Sequence, residues 1–184
     1  MDAASLGGPA LVVALIFATG AAGLCIFSAL RDRPVLAEMG RRALAIASAF
    51  VVFAALLLLQ AFVTHDFSVA YVANYSSRSL PGAYTMAALW GGMEGSLLFW
   101  TVLLTVFSWI ALRQARRWAD ETLSAWSTAV LGGIVIFFLI LLVGPADPFV
   151  RLSEIPADGQ GLNPLLQSPG MLAHPPLLYT GFVG

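Results

Sequence analysis

Leu123-Ser124-Ala125-Trp126-Ser127-Thr128-Ala129-Val130-Leu131-Gly132-Gly133-Ile134-Val135-Ile136-Phe137-Phe138-Leu139-Ile140-Leu141-Leu142-Val143 runs without one charged residue. A hydrocarbon core about 30 Å thick needs about 20 apolar residues per spanning helix, and this stretch supplies them. Three others do the same: about Pro9–Leu30, Ala43–Val63, and Leu97–Leu112 with an apolar lead-in from Ala83. Apolar residues make up 59% of the chain and charged ones 10%, against roughly 45–50% and 25% in soluble domains. The reading is an all-α polytopic membrane helical bundle. It has four full transmembrane helices plus the start of a fifth, in one membrane domain over residues 1–184.

The fifth apolar stretch begins near Met171 and is cut off at Gly184, too short to span. A chain seldom stops halfway across a bilayer, so the expectation is the front part of a longer protein or one piece of a split one. The first stretch exceeds the 7–15-residue apolar core of a secretory signal, and Asp2 stands where a basic start is usual; it reads as a retained helix. Net charge is −1, with no run of basic residues, so no nucleic-acid partner is implied. The single Cys25 excludes an internal disulfide framework and a thiol metal pair. It reads as a small buried hydrophobe.

With no lysine present, arginines decide topology. Arg31, Arg33, Arg41 and Arg42 crowd the first loop, and Arg113, Arg116 and Arg117 the third; only Arg78 and Arg151 fall in the second and fourth. The positive-inside rule places loops one and three in the cytoplasm. The N-terminus, loop two (about 64–83) and loop four (about 144–170) then face outward. Arg113 to Trp118 reads as a charged membrane-edge cluster. Loop four carries the turn signals Asp147-Pro148, Ile155-Pro156-Ala157-Asp158-Gly159 and Asn163-Pro164. Leu162, Leu165, Leu166 and Met171 are spread among them, so the loop is expected to lie folded on the membrane surface.

Two places could carry chemistry. In Ala173-His174-Pro175-Pro176-Leu177-Leu178-Tyr179 the paired prolines suit a helix's first turn. They predict a helix start there, with His174 at its mouth on the outer face. Such an imidazole either ligates a metal or only hydrogen-bonds water or a carbonyl. In Trp90-Gly91-Gly92-Met93-Glu94-Gly95-Ser96, small residues at helical spacing form a strip for helix packing or for the flat face of a planar cofactor. Glu94, a carboxylate near membrane depth, invites a functional reading. Alternatively it forms an ion pair with Arg78 or Arg151. His65 reads as a solvated boundary histidine. Tyr71, Tyr75, Tyr84 and Trp90 read as an interfacial belt. Phosphate loops, paired carboxylates, Ser–His–Asp sets and zinc clusters are missing. Apart from Cys25, helices one, two and four hold no ionisable residue in their central stretches, which argues against an ion pump.

Three ordered blocks carry a family resemblance: Ala61-Phe62-Val63 with Asp66 to Ala73, Trp90 to Trp100, and Leu162 to Gly170 running into His174 to Gly184. The chain resembles the CcmF family of cytochrome c haem lyases, within the haem-handling group that also holds NrfE and CcsA. The resemblance implies a bacterial inner-membrane protein with its N-terminus and haem-site face periplasmic. It implies haem received from a haem chaperone and thioether attachment of its vinyl groups to apocytochrome c, alongside thiol-presenting maturation subunits. His174 matches the first of the family's two outer histidines, which implies axial ligation of the haem iron. Glu94, Gly91, Gly92, Gly95, Trp90, Pro175, Pro176 and Tyr179 are candidate supporting residues. The second outer histidine, the membrane histidines and the tryptophan-rich segment are expected downstream, in a remaining C-terminal part. This stretch by itself is not expected to catalyse. The competing readings are a structural assembly module that docks other lyase subunits without binding haem and, from the apolar helices, a transporter.

Overall fold

In the second helix a file of buried residues, Ala37, Gly40, Leu44, Ala47, Val51, Ala54, Leu58 and Ala61, is spaced alternately by three and four, with Leu57 and Phe62 buried beside it. That spacing keeps one seam of a helix facing a neighbour along its length. The computed structural model describes residues 3–115 and 120–184; Asp2 and the Arg116-Arg117-Trp118 part of the membrane-edge cluster lie outside them. Four long helices dominate: α1 (Ala3–Arg31), α2 (Pro34–Val63), α5 (Met93–Ala115) and α6 (Glu121–Val143). All four are long and apolar enough to cross a membrane. The same alternation runs through Leu11, Ala14, Ala18, Ala21, Cys25 and Ser28 of α1. It recurs in Leu98, Thr101, Thr105, Ser108 and Leu112 of α5, and in Ala125, Thr128, Gly132, Val135, Leu139 and Leu142 of α6.

These seams are small rather than especially apolar. Lipid tails are as apolar as leucine, so helices in a bilayer gain by close approach of small side chains, not by hiding large ones. Large residues accordingly face outward, as Ile16 (65% exposed), Leu56 (57%) and Phe137 (59%) do. Cys25 is fully buried and its thiol faces the Ala37 carbonyl across the α1–α2 seam, at 3.8 Å. It packs, as its sequence context implies. Two buried threonines satisfy their hydroxyls on their own helices: Thr101 donates to the Leu97 carbonyl (2.7 Å) and Thr128 to that of Ser124 (2.8 Å), while the buried Ser108 hydroxyl of α5 has no hydrogen-bond partner.

The two ends of the bundle differ. At the short-loop end, α1 and α2 are joined through Asp32, with φ +50, and Pro34 occupies the first turn of α2. Asp120 caps α6 by accepting the Leu123 N–H at 2.6 Å. At the other end, two long connections fold on one another. The first carries α3 (Ala70–Tyr75), α4 (Gly82–Ala87) and a 3-10 turn at Ala88–Trp90. The second runs from Gly144 to a 3-10 turn at Pro164–Leu166 and into α7 (Pro169–Val183).

Two expectations change here, and one pairing is added. The apolar lead-in from Ala83 is not part of the spanning helix, because Gly91 and Gly92 bend the chain and α5 starts at Met93. Loop four is folded, and it packs on loop two. Val69 bridges to Arg151, Ala70 N–H donates to the Val150 carbonyl (2.8 Å) and Leu152 N–H to that of Ser68 (2.9 Å), so it pairs with loop two. Leu162 is buried while Leu165 stays 80% exposed. His65 is half-buried rather than fully solvated, and it stands at φ +52 just past the end of α2. Its N–H donates to the Phe62 carbonyl and that of Asp66 to Ala61, the paired bonds that close a helix through a left-handed residue. Its Nε2 is buried without a hydrogen-bond partner and its ring lies edge-on to Phe67 at 6.0 Å.

Candidate functional site

The long-loop end is held together from below by Tyr71, which is 4% exposed and so is a core residue, not part of an interfacial belt. Its hydroxyl accepts the Gly92 N–H (3.0 Å) and shares its proton between the carbonyls of Ala88 and Leu89 (3.3 and 3.2 Å). Burial drives the Tyr71 hydroxyl far above the usual phenol range, and the nearby Glu94 carboxylate adds to this. Burial and Glu94 also raise Tyr75. The Tyr71 proton therefore stays in place across physiological pH as the lock on the bend between the 3-10 turn and α5. No sequence signal marks this role, because a buried tyrosine and a belt tyrosine look alike in a string.

The glycine strip is occupied. A Cβ at Gly91 would come 2.8 Å from Leu162 Cδ1, one at Gly92 would overlap the Tyr75 ring, and one at Gly95 would overlap the Leu89 carbonyl and the Tyr71 hydroxyl. Its partners are the protein's own tyrosines and Leu162. Glu94 is half-buried in the first turn of α5, where a carboxylate suits the positive end of the helix dipole. Arg78 is engaged elsewhere. Its N–H donates to Asp158 Oδ1 (2.9 Å), its Nε donates to the Ala157 carbonyl (3.2 Å), and its guanidinium lies 5.5 Å over the Phe67 ring.

Asp158 also accepts the Gly159 N–H at 2.8 Å. The Arg78 and Gly159 amides hold its carboxyl below the ordinary range. The sign follows: a lowered folded value means the contribution to loop docking is complete above the ordinary carboxylate pKa and is lost as pH falls through the lowered one. Protease resistance of residues 150–161 should persist from neutral pH down to about pH 4 and decline below it. A decline already at pH 6 would assign the docking to another group.

His174 rises from this platform on α7, though not at the helix mouth. Ser168 caps α7, its hydroxyl accepting the Met171 N–H at 3.3 Å, and Pro169 takes the first turn. Pro175 and Pro176 lie inside the helix. The Ser168-Pro169 pair is the stronger start signal, since it adds a hydroxyl cap to the proline. The later prolines, lacking N–H groups, leave the carbonyls one turn back without their usual donors. Half-buried Leu172, Pro175, Pro176, Tyr179 and Val183 form the face turned to the bundle. An aromatic file clamps that face: Trp90 on Phe99 (5.5 Å), Phe99 on Tyr179 (6.1 Å), and Trp100 on Tyr179 (5.6 Å), Phe138 (5.3 Å) and Phe182 (6.5 Å). Trp90 and Tyr179 thus share one aromatic cluster. His174 stands about 140° round the helix from Tyr179, at 100° per residue. It is exposed, on a helix edge away from the clamp. Among the described residues, no group of three or more His, Cys, Asp or Glu side chains gathers that could hold a metal ion alone.

The sequence model of the family described as cytochrome C assembly protein matches residues 90–184, from the start of the Trp90 bend through α7. The chain belongs to that family. Among similar proteins, the cytochrome c-type biogenesis protein CcmF of Pseudomonas fluorescens is 48% identical over 137 residues, 74% of this chain and 21% of that protein. CcmF of Pseudomonas aeruginosa is 41% identical over 180 residues, 97% of this chain and 27% of its own length. A solved structure named cytochrome c heme lyase CcmF superposes with a TM-score of 0.83 at 30% identity, covering 100% of this chain and 28% of that one. The resemblance read from the sequence blocks is thus borne out, and so is the all-α membrane bundle. The chain spans about a quarter of the length of these relatives.

Proposed function

We propose that this chain is a haem-ligating membrane portion of a cytochrome c haem lyase, with His174 as one axial ligand of the haem iron. The observation that carries it is the placement of His174. Its imidazole is exposed on a helix whose opposite face is clamped by Tyr179 and Trp100, inside the segment matched by the family model. The donor set fits the group. One imidazole without further protein donors suits an iron whose equatorial positions are filled by a porphyrin, whereas a chelated bare ion needs several side chains. Haem, when bound, supplies the vinyl groups that accept cytochrome thiols. The contribution of the chain is to hold and orient. His174 would fix the iron, the aromatic clamp the helix that bears it, and the Tyr71 lock the end of the bundle beneath.

The arginine distribution supports an orientation with the N-terminus and the His174 face periplasmic, in the bacterial inner membrane. On this reading the partners are a haem chaperone, apocytochrome c, thiol-presenting maturation subunits and the remaining part of the lyase. The test uses the complete lyase. His174→Ala should reduce co-purified haem by at least about tenfold, since even supporting groups around a metal ligand cost that much. Ile16→Ala, on the outward side of α1, should leave haem content unchanged. Full haem content and cytochrome c yield in His174→Ala would remove the assigned role and favour the structural-module reading.

A further inference from the structure

At the short-loop end, α2 and α5 enclose a cleft of about 330 Å³ lined by Glu38, Arg41, Arg42, Ser48, Trp109 and Arg113, with Leu44, Ala45 and Leu112. Its three guanidinium groups are in different states. Arg41 is only 10% exposed at its side chain and is spent inside the protein. It donates to Glu38 Oε2 through Nη2 (3.1 Å), and to Glu121 (3.2 Å) and Ser124 (3.3 Å) through Nη1. Arg42 gives its Nε to Glu38 Oε1 (3.0 Å) while its side chain remains 76% exposed. Arg113 lies 5.0 Å over the Trp109 ring, on the last turn of α5. Among the described residues here, three cations face the two carboxylates of Glu38 and Glu121, so the cleft keeps positive charge.

The cleft does not end at its polar floor. At Ser48 and Trp109 it continues into a second groove of about 480 Å³, lined by Ala49, Val52, Phe53, Leu56, Thr105 and Val106 of the same two helices. The Thr105 hydroxyl there is satisfied by the Val102 carbonyl (2.9 Å), and Ala49, Val52, Phe53, Leu56 and Val106 are apolar. A basic mouth at the helix ends, leading into an apolar channel toward the bundle middle, is the shape of an amphiphile with an anionic head. A soluble phosphate would leave the groove unused, and an uncharged lipid would leave the guanidinium groups unmatched.

We infer that the α2–α5 seam is a binding site for an anionic phospholipid of the adjacent leaflet. Arg42 and Arg113 take the phosphate and an acyl chain lies along Val52, Phe53, Leu56 and Val106. Guanidinium forks match phosphate oxygens in pairs, and basic clefts between membrane helices are places where anionic headgroups settle. The shared chemistry is a phosphate group; the groove decides for a lipid as its source.

The test is native mass spectrometry of the chain in neutral detergent, offered phosphatidylglycerol or phosphatidylcholine with matched chains. Phosphatidylglycerol adducts should exceed phosphatidylcholine adducts, and R42Q/R113Q should reduce them about tenfold. R31Q/R33Q, which removes equal charge from the α1–α2 turn, should leave them intact. Val52→Trp should block the adduct while both arginines remain. Because Arg42 and Arg113 are exposed and Arg41 is untouched, thermal melting of R42Q/R113Q should match the parent. Equal loss in R31Q/R33Q would reduce the effect to general surface charge and overturn the site. Equal competition by inorganic phosphate or glycerophosphoglycerol would assign the arginines to a soluble anion and overturn the lipid. Absence of adducts on the parent chain would leave the seam to another protein helix, with the same consequence.

Discussion

Gly95→Ala is expected to unfold the long-loop end of the bundle, although it adds a single methyl group. The ideal Cβ at Gly95 overlaps the carbonyl oxygen of Leu89 and the hydroxyl of Tyr71. A flexible side chain could step aside, but Leu89 O is backbone and receives the Tyr71 proton, while Tyr71 also accepts the Gly92 N–H. Relief requires the 3-10 turn to move away from α5. That leaves three buried polar groups to find new partners, at about 1–3 kcal/mol for each one lost. We expect destabilisation of at least about 3 kcal/mol, read as a lowered midpoint in thermal or denaturant melting. Gly133→Ala, on the same class of helix but with no atom within 4 Å of its Cβ, should be neutral or slightly stabilising, since glycine is the poorer helix former. Equal midpoints for the two variants would show that the bend is not locked by this contact.

This result has a bearing on how docking can be tested. Enlarging Gly91, Gly92 or Gly95 looks, in the sequence, like a way to block a partner helix. In the fold each of these glycines is covered by Leu162, Tyr75 or Tyr71, so such variants report on folding of the chain itself. The exposed aromatic and aliphatic side chains of α7, Leu177 and Phe182 at 71% each, are better placed to report on association with the rest of a lyase.

The four spanning helices were legible because bilayer thickness demands long uncharged runs, and Leu123 to Val143 and its three companions answer that demand directly. The seam positions were obscured for the same reason: apolar residues occur on all sides of a membrane helix, and only residue size separates the faces. The start of α7 was misplaced because proline marks a first turn without saying which of several prolines does so. Ser168 settled it, since a hydroxyl cap precedes Pro169 and none precedes Pro175. Loop four showed its turns, and Asp147 and Asn163 accept the Phe149 and Leu165 N–H groups as such turns require. Its pairing with loop two was not legible, because backbone bonds between distant segments leave little trace in side-chain chemistry. His174 was legible as a candidate from its neighbours; its setting on a clamped helix was not.

That setting yields the second large effect, at Gly159. The N–H of Gln160 donates to the Ala73 carbonyl (2.8 Å) and that of Gly161 to Ser76 (2.9 Å), pressing residue 159 against α3. A Cβ there would overlap the Ser76 carbonyl and come 2.8 Å from that of Ala73, again backbone that cannot rotate away. Gly159→Ala should therefore break both bonds together with the Asp158–Arg78 contact, and free residues 153–162 from loop two. We expect the hydrogen-exchange protection of the Gln160 and Gly161 amides to fall by about a hundredfold, the equivalent of two backbone bonds at about 1.4 kcal/mol each. The spanning helices should keep their protection along the seams described above. Loop four leads directly into α7, so the variant also asks whether the platform sets the place of His174. If it does, haem retention by the complete lyase should drop in Gly159→Ala while Trp100, Tyr179 and His174 are all still present. Unaltered retention beside lost loop protection would show that the aromatic clamp positions α7 without help from the loops.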